Sequence, residues 1–245
     1  NAKNELLKGV VNNTGIIEAN SLDDLQSEVI LFAHGGTANI SGEIKAKNSF
    51  VETSGDKVKI ADNFKVTANK WLIDPNDFTI AASGGDMTGQ TLSNNLATAD
   101  IIINTLTQGT SGGNGDIFVN DNITWSSDKK LTLDAERNVN VNAIINNTNS
   151  TDGGVYFKAL NNTTSVVFGT NGKVIVNNIN QMQWINTALN GKYELGSNIN
   201  ASATSTWNSN GSGGYDGFNP IGDNTNNFNG TFDGLGFTIS NLYIN

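Results

Sequence analysis

The sequence contains no cysteine, one histidine (His34), one arginine (Arg137) and only two prolines (Pro75 and Pro220). Without cysteine the chain forms neither a disulfide framework nor a thiolate metal site. A single histidine disfavours a catalytic triad or a histidine-based metal site built within this chain, and we expect His34 to be a turn residue facing solvent. Because proline cannot donate to a ladder, its scarcity leaves nearly every segment able to pair as a strand.

Charge is also scarce, since 15% of the residues are charged, and the formal net charge is −9. Neutralising phosphates requires clustered lysine and arginine, so we predict no nucleic-acid partner and no binding to anionic lipid. The longest apolar runs, residues 29–33 and 101–103, are far too short to span a bilayer. We therefore predict no membrane insertion, and we expect a monomer.

The chain is instead rich in asparagine and glycine, with 41 and 27 residues. Both tolerate positive φ, which predicts many turns. Between the turns, short β-branched runs recur, and strict apolar alternation at Leu131/Leu133 and at Val139/Val141 is typical of strands with one buried face. Groups of three strands recur at about 20 to 25 residues, the lower end of the solenoid range.

These patterns predict an all-β fold, a right-handed parallel β-helix, with a β-sandwich or barrel as the alternative. We expect coils over residues 1–178 and a loop-rich module that continues them over residues 179–245. One short helix is predicted near 180–189, because Ile179, Met182 and Ile185 recur at helical spacing and Gly191 provides a stop.

Residues 50–81 show the pattern at its clearest, as short strands separated by turn residues. Turns are expected at Gly55-Asp56, at Asp62-Asn63 and at residues 74–77. The predicted strands are Phe50 to Thr53, Val58 to Ala61, Lys65 to Ala68, Trp71 to Ile73 and Phe78 to Ala81.

Three motifs in this part of the chain carry a family resemblance. They are His34-Gly-Gly-Thr-Ala-Asn-Ile-Ser-Gly-Glu-Ile44, Phe50-Val-Glu-Thr-Ser-Gly55 and Lys70-Trp-Leu-Ile-Asp-Pro75. In that order they resemble the region that follows the secretion domain in two-partner-secreted exoproteins of the filamentous haemagglutinin and high-molecular-weight adhesin family. The chain start at Asn1, without an initiator methionine, is expected of a processed or excised fragment.

A second resemblance lies at the C-terminal end. Residues Phe228 to Ile244 resemble a short GLUG-like module of bacterial surface proteins, with the pattern G-x-F-D-G-x-G-x-x-I-x-N-L. Asp233-Gly234 is expected to form a tight turn. Ile239, Leu242 and Ile244 are expected to point into a core.

The resemblance implies a non-catalytic segment of a large adhesin, secreted to the bacterial cell surface by an outer-membrane transporter and supporting host attachment through a host glycan or a host protein. Two other roles stay open. One is capture of a host protein, such as a haem carrier, and the other is a pure structural spacer. No cofactor is implied, since one histidine and two methionines are poor haem ligands.

Enzymatic activity would require paired carboxylates in a cleft. The sequence offers two candidate pairs of carboxylates. We interpret Asp74 and Asp77 as turn residues, and we interpret Asp134 and Glu136 as a surface ion cluster beside Arg137. A net negative chain would also repel acidic polysaccharides, so we predict that the protein is not an enzyme. Three further acidic residues lie in C-terminal loops: Asp216, Asp223 and Asp233. Their carboxylate oxygens are ligands that calcium accepts, but we interpret these residues as turn formers.

Aromatic residues fall into two groups. Trp71, Phe118 and Trp125 lie within strand patterns and are predicted to fill the core. Trp207, Tyr215 and Phe218 lie in the polar loop of residues 202–219, which we expect to project from the coil. They are the predicted binding residues, because rigid aromatics in adaptable loops are typical of recognition surfaces; packing against the coil is the alternative.

The sequence contains ten Asn-x-Ser/Thr sequons, many of which must arise by chance in so asparagine-rich a chain. Adhesins of the resembled family are N-glycosylated at such sites. The resemblance therefore makes exposed turns the candidates for glycosylation, with Asn146 and Asn149 as the examples.

Overall fold

A computed structural model of the chain describes residues 11–19, 28–105, 113–159 and 165–245. Strands make up 49% of the structure and helices 10%, so the protein is mostly β, as the sequence predicts. Within the described ranges, every pairing between strands is parallel. None of the helices in those ranges is long and apolar enough to cross a membrane.

The strands and helices follow one another along the chain. The strands are β1 (Val11–Asn13), β2 (Ile16–Glu18), β3 (Glu28–Ile40), β4 (Glu43–Ile60), β5 (Lys65–Asp74), β6 (Phe78–Ile80), β7 (Asp100–Asn104), β8 (Ile117–Val119), β9 (Ile123–Trp125), β10 (Lys130–Ala135), β11 (Asn138–Val141), β12 (Ile144–Asn147), β13 (Gly154–Ala159), β14 (Ser165–Phe168), β15 (Lys173–Val176), β16 (Lys192–Leu195), β17 (Ile199–Asn200), β18 (Thr231–Asp233) and β19 (Ile239–Ser240). The helices are α1 (Gly89–Asn95) and α2 (Ile179–Trp184), with 3₁₀ turns at Ile185–Thr187 and Ser202–Thr206.

Three sheets receive most of these strands. Sheet A has the order β1-β3-β4-β5-β7-β10-β13, with β2 beside β4; sheet B has β6-β8-β11-β14; sheet C has β9-β12-β15-β16-β18. From β7 to β15 the chain visits sheets A, B and C in turn, three times over. The parallel pairing follows, because each strand joins one that precedes it by a full circuit.

Buried apolar residues from equivalent positions stack inside the sheets. In sheet A, Trp71 pairs with Ile101, Ile101 with Leu131, and Leu131 with Val155, and all four side chains are buried. The alternation at residues 139/141 is confirmed, since Val139 and Val141 are buried and Asn138 and Asn140 are half-buried. Around residues 131/133 the expectation of one buried face is wrong, because Thr132 and Asp134 of β10 are buried as well. Burying each such side chain is worth about 1.5–3 kcal/mol, so these columns are the main source of stability.

The spacing of paired residues matches the predicted repeat only where no insertion occurs. Val29 pairs with Val51 and Ile117 with Val139, in both cases 22 residues further on. Lys70 pairs with Asp100, 30 residues on, because the segment between them contains β6 and α1. Longer steps occur near the C-terminus, where a long loop precedes β18.

Two predicted features of residues 50–81 are corrected. Gly55 and Asp56 do not form a turn but lie inside β4, and the four strands predicted over residues 50–73 merge into β4 and β5. A Cβ atom at Gly55 would lie 2.9 Å from the carbonyl oxygen of Ala33, so glycine permits close approach of β3 rather than chain reversal. The turn at Asp62-Asn63 is confirmed.

The helix predicted near 180–189 is confirmed, as α2 and the 3₁₀ turn that follows it. Asn178 caps α2, because its Oδ1 accepts the N–H of Gln181 at 2.8 Å. The expectation of a single helix is wrong, since α1 is a second one, capped by Thr88. Its seven residues are too few for the apolar spacing of Leu92 and Leu96 to stand out in the sequence.

The aromatic core predictions hold for two residues of three. Trp71 and Trp125 are buried, whereas Phe118 is half-buried. Phe118 lies between the buried residues Ile117 and Val119 of β8, so its own side chain must face outward.

Sheet C crosses the predicted boundary at residues 178/179. Val174 of β15, before the boundary, pairs with Tyr193 of β16, after it, and Tyr193 pairs in turn with Phe232 of β18. Residues 228–244 therefore contain two short strands, as the sequence predicts: β18 joins sheet C, and β19 pairs with β17 in a separate two-stranded sheet.

Candidate functional site

The loop predicted to bind, residues 202–219, folds as a helical turn followed by a narrow hairpin. At the base of the hairpin, the N–H of Gly217 donates to the carbonyl oxygen of Trp207 at 3.0 Å. At its tip, the Oδ1 of Asn210 accepts two backbone N–H groups, at 3.0 and 3.1 Å. Residues 208–213 are all exposed. The hairpin therefore holds its own shape and presents its tip to solvent.

The three aromatic residues of this loop lie in different environments. Phe218 is 3% exposed, and the half-buried ring of Trp207 stacks on it with a centroid distance of 6.5 Å. Tyr215 is 40% exposed. The structure thus brings Trp207 and Phe218 together against the core, and it leaves only Tyr215 as a surface aromatic on the hairpin.

Helix α2 holds the chain where it leaves the hairpin. The side-chain amide of Gln183 accepts the N–H of Asn219 at 2.8 Å and donates to its carbonyl oxygen at 2.9 Å. Asn186 makes a similar pair of bonds, with the carbonyl oxygen of Pro220 and the N–H of Gly222. The two side-chain amides thus make the backbone hydrogen bonds that a neighbouring strand would otherwise make. In the sequence they look like ordinary solvent-facing residues of a helix, so the pattern gave no sign of this role.

The expected inward orientation of the last apolar residues is only partly correct. Ile239 packs against the core, but Leu242 is 40% and Ile244 51% exposed. The reason is that residues beyond β19 run along the hairpin, where Phe218 N–H donates to the carbonyl oxygen of Tyr243 at 2.9 Å. Other exposed apolar residues of this end are Phe232, Leu235, Phe237 and Tyr243.

The acidic pairs considered for catalysis have structural partners. Asp77 Oδ1 accepts the N–H groups of Asn114 and Asp116 at 2.9 and 2.8 Å, which holds a neighbouring turn. Asp134 is 2% exposed and pairs with Lys158 of the adjacent strand at 2.8 Å. The interpretation of Asp134 as part of a surface cluster is therefore wrong, because it is the buried half of an ion pair.

The single arginine also has a carboxylate partner, on the segment that precedes a neighbouring strand. Arg137 Nε donates to Asp116 Oδ1 at 2.8 Å, and a second guanidinium nitrogen contacts the other carboxylate oxygen. The hydrogen bond from Arg137, assisted by the N–H of Asn138, holds the pKa of the Asp116 carboxyl below its ordinary value, although burial opposes the shift. The Arg137 guanidinium contact with Asp116 thus fixes a turn between sheets A and B.

The C-terminal acids take part in turns. Asp223 Oδ1 accepts the N–H groups of Thr225 and Asn226, both at 2.7 Å, and these bonds lower the pKa of its carboxyl. Asp233 Oδ1 likewise accepts the N–H of Leu235 at 2.9 Å. Within the described ranges, no three acidic or histidine side chains converge in a way that could hold a metal ion.

His34 is exposed as expected, but the prediction that it is a turn residue is wrong, because it lies within β3. The edge of its ring approaches Phe32 with a centroid distance of 5.7 Å.

The side chains of both candidate glycosylation sites make hydrogen bonds. Asn146 lies in β12, where its Oδ1 accepts a bond from Asn177 at 3.0 Å. Asn149 is half-buried, and its Nδ2 donates to the carbonyl oxygen of Ser126 at 3.0 Å. Since a glycan attaches to Nδ2, modification of Asn149 would have to replace that bond.

A groove on the outer face of sheet C was not predicted from the sequence. It has a volume of about 740 Å³ and runs across the strands beside the turns that connect sheets B and C. We call it the sheet C groove. Its lining includes Asn120, Asn122, Asn142, Ile144, Thr170, Asn171, Lys173, Lys192, Glu194, Thr231 and Asp233.

Polar contacts along the sheet C groove hold its side chains in place. Lys173 Nζ lies 2.7 Å from Glu194 Oε2, and Lys192 Nζ donates to the carbonyl oxygen of Gly169 at 2.7 Å. In the turns that precede β9 and β12, Asn142 Nδ2 donates to Asn120 Oδ1 at 2.8 Å. These residues are far apart in the chain, so no local motif could have revealed the groove.

A scan of protein-family models, a search of curated proteins and a search of solved structures each returned no match for this chain.

Proposed function

We propose that the chain folds as a right-handed parallel β-helix whose three faces are sheets A, B and C. Support comes from the repeated order of the sheets between β7 and β15 and from the parallel pairing within each sheet. The right hand is favoured because connections between parallel strands of one sheet are right-handed in about 98% of cases. On this proposal the described residues between 11 and 178 form coils, and residues 179–245 continue them; the rest of the predicted range 1–178 lies outside the described residues.

The proposed function is host attachment. The protein acts as a non-catalytic segment of a secreted adhesin, delivered to the cell surface by the outer-membrane transporter of a two-partner system, and it needs no cofactor. The observation that carries this proposal is the hairpin of residues 207–217, which presents Tyr215 among small polar residues on a regular framework. The proposed export by a two-partner system is supported by the motif resemblance at residues 34–75.

The test compares an exposed with a buried aromatic residue. Replacing Tyr215 with alanine should reduce binding of the purified protein to host epithelial cells at least fivefold, by loss of roughly 1 kcal/mol or more of contact energy, without lowering the melting temperature. The Phe32→Ala variant is the matched control, since Phe32 is 43% exposed and lies in β3. Phe218→Ala should instead destabilise the fold by about 3–5 kcal/mol.

The alternative roles predict other results. Equal cell binding by Tyr215→Ala and the parent protein would remove the hairpin from recognition. If neither binds cells and no host protein is recovered from serum, the chain is a spacer. If a single host protein is recovered in stoichiometric amount from serum, while cells are not bound, the chain captures that protein.

A further inference from the structure

We propose that the sheet C groove binds a neutral linear oligosaccharide that lies across the strands. The site is separate from the hairpin of residues 207–217, and the proposal does not depend on a role in host attachment.

The floor of the groove consists of two neighbouring columns of outward-facing side chains. In the first column Ile144 pairs with Lys173, and Lys192 pairs with Thr231. Ile144, Lys173 and Lys192 face outward because the next residue in each of their strands faces the core. Thr231 faces outward because the next residue in β18 pairs with a core residue of β16. Successive strands are about 4.8 Å apart, so the groove offers groups at a regular interval along its length.

The second column places carboxylates beside the two lysines. Glu194 pairs with Asp233 in the ladder between β16 and β18, and Glu194 also contacts Lys173 at 2.7 Å. Two lysines and two carboxylates carry no net charge together. The groove therefore has no general attraction for anions or cations, and the chain's formal net charge of −9 further disfavours an acidic polymer.

The donors and acceptors in the groove suit hydroxyl groups. An ammonium group has three donors and an amide has both donors and acceptors, so the contacts seen within the groove do not exhaust their capacity. A sugar hydroxyl both donates and accepts, and it can bridge Lys192 with Asp233 or Asn142 with Asn120. The half-buried side chain of Ile144 supplies an apolar surface for the C–H face of a sugar ring.

Neighbouring turns pack closely at the side of the groove. A Cβ atom at Gly172 would lie 1.8 Å from the carbonyl oxygen of Val141, so only glycine allows this turn to lie so close to its neighbour. Asn171 and Thr170, just before it, remain exposed along the rim. A periodic, uncharged, hydroxyl-rich ligand of extended shape fits all of these features, and a linear oligosaccharide has each of them.

The experiment measures binding of neutral linear oligosaccharides of glucose, of galactose and of N-acetylglucosamine, in two lengths, by titration calorimetry. Oligogalacturonates of the same lengths are the acidic comparison. We expect at least one neutral series to bind, with affinity rising at least fivefold from disaccharide to hexasaccharide as more strands are covered. The Asn142→Ala/Lys192→Ala variant should bind at least tenfold more weakly. Asn94→Ala is the matched control, because it removes an exposed amide from α1, and it should bind as the parent does.

Three results would overturn the proposal: no binding of any neutral series at millimolar concentration, tighter binding of oligogalacturonates, or equal binding by the double variant. If the double variant fails to fold, amide chemical-shift changes in the parent protein decide the matter. Shifts at Asn120, Asn142 and Gly172 support the groove, and shifts confined to residues 207–217 reject it.

Discussion

At the scale of single residues, the ion pairs of this protein matter because few charges are present and several are buried. Asp116 is 3% exposed and receives bonds from Arg137 and from the N–H of Asn138. Its carboxyl has a lowered pKa in the folded protein. Such a group contributes stability above its ordinary pKa, and that contribution is lost as the pH falls through the folded-state pKa.

We therefore predict that Asp116→Asn flattens the acid side of the stability profile. At neutral pH the variant should lose about 1–3 kcal/mol of unfolding free energy, because Arg137 loses its charged partner. As the pH falls below the ordinary carboxyl pKa of 3.8, the parent should lose more stability than the variant, as measured by urea denaturation. Asp128→Asn is the control, since Asp128 is largely exposed and pairs only with its neighbour Lys129. Parallel profiles for Asp116→Asn and the parent would contradict the assignment.

At the scale of secondary-structure elements, α1 shows how a helix is fitted between strands. Asn95, at its end, is 2% exposed. Its Oδ1 accepts the N–H of Val66 at 2.7 Å, and its Nδ2 donates to the carbonyl oxygens of Phe64 and Thr91 at 3.0 and 2.8 Å. One side chain thus satisfies backbone groups at the start of β5, where β4 lies on one side and the pairing with β7 on the other side has not yet begun.

Replacing Asn95 with alanine should lower the unfolding free energy by about 2–4 kcal/mol, because it leaves buried backbone groups without partners. Asn94→Ala removes the same chemical group one residue earlier, where the side chain is exposed and contacts only Gln90. That variant should lie within about 0.5 kcal/mol of the parent in the same denaturation experiment. Equal losses in the two variants would show that the contacts of Asn95 are not what holds α1 in place.

At the scale of the whole molecule, stability should be greatest in the middle of the sheets. Strand β10 pairs with β7 on one side and with β13 on the other, whereas β18 lies at the end of its sheet and pairs with β16. In a stack of repeating coils each coil is stabilised mainly by its neighbours, so terminal coils open first.

Hydrogen exchange should therefore be slowest for the amides of β7 to β12 and fastest for those of β18 and β19. We expect at least a hundredfold difference in protection between Leu131 and Phe232, since terminal units open with free energies well below the global value. Uniform protection along the chain would instead indicate a single cooperative unit and would argue against a stack of coils.

Much of the fold follows from local pattern. The alternation at Leu131/Leu133 and at Val139/Val141 identifies strands, that at Val139/Val141 also identifies the buried face, and the helical spacing after Ile179 identifies α2. The predictions for Gly55 and Phe118 were wrong because each depends on the tertiary structure. Whether a glycine turns the chain or admits a neighbouring strand depends on what lies beside it, and a single outward aromatic in a three-residue strand looks the same as an inward one.

The sequence by itself determined which segments are strands, which faces are buried and that turns are frequent, because these depend on neighbours one to four residues away. Only the tertiary structure decided which strands pair, that Phe218 is buried while Tyr215 is exposed, and that Asn120, Lys192 and Asp233 share one groove. The physical reason is the parallel ladder. Its partners are 19 to 40 residues apart, with insertions of unequal length between them, so no local pattern in the sequence reveals the register.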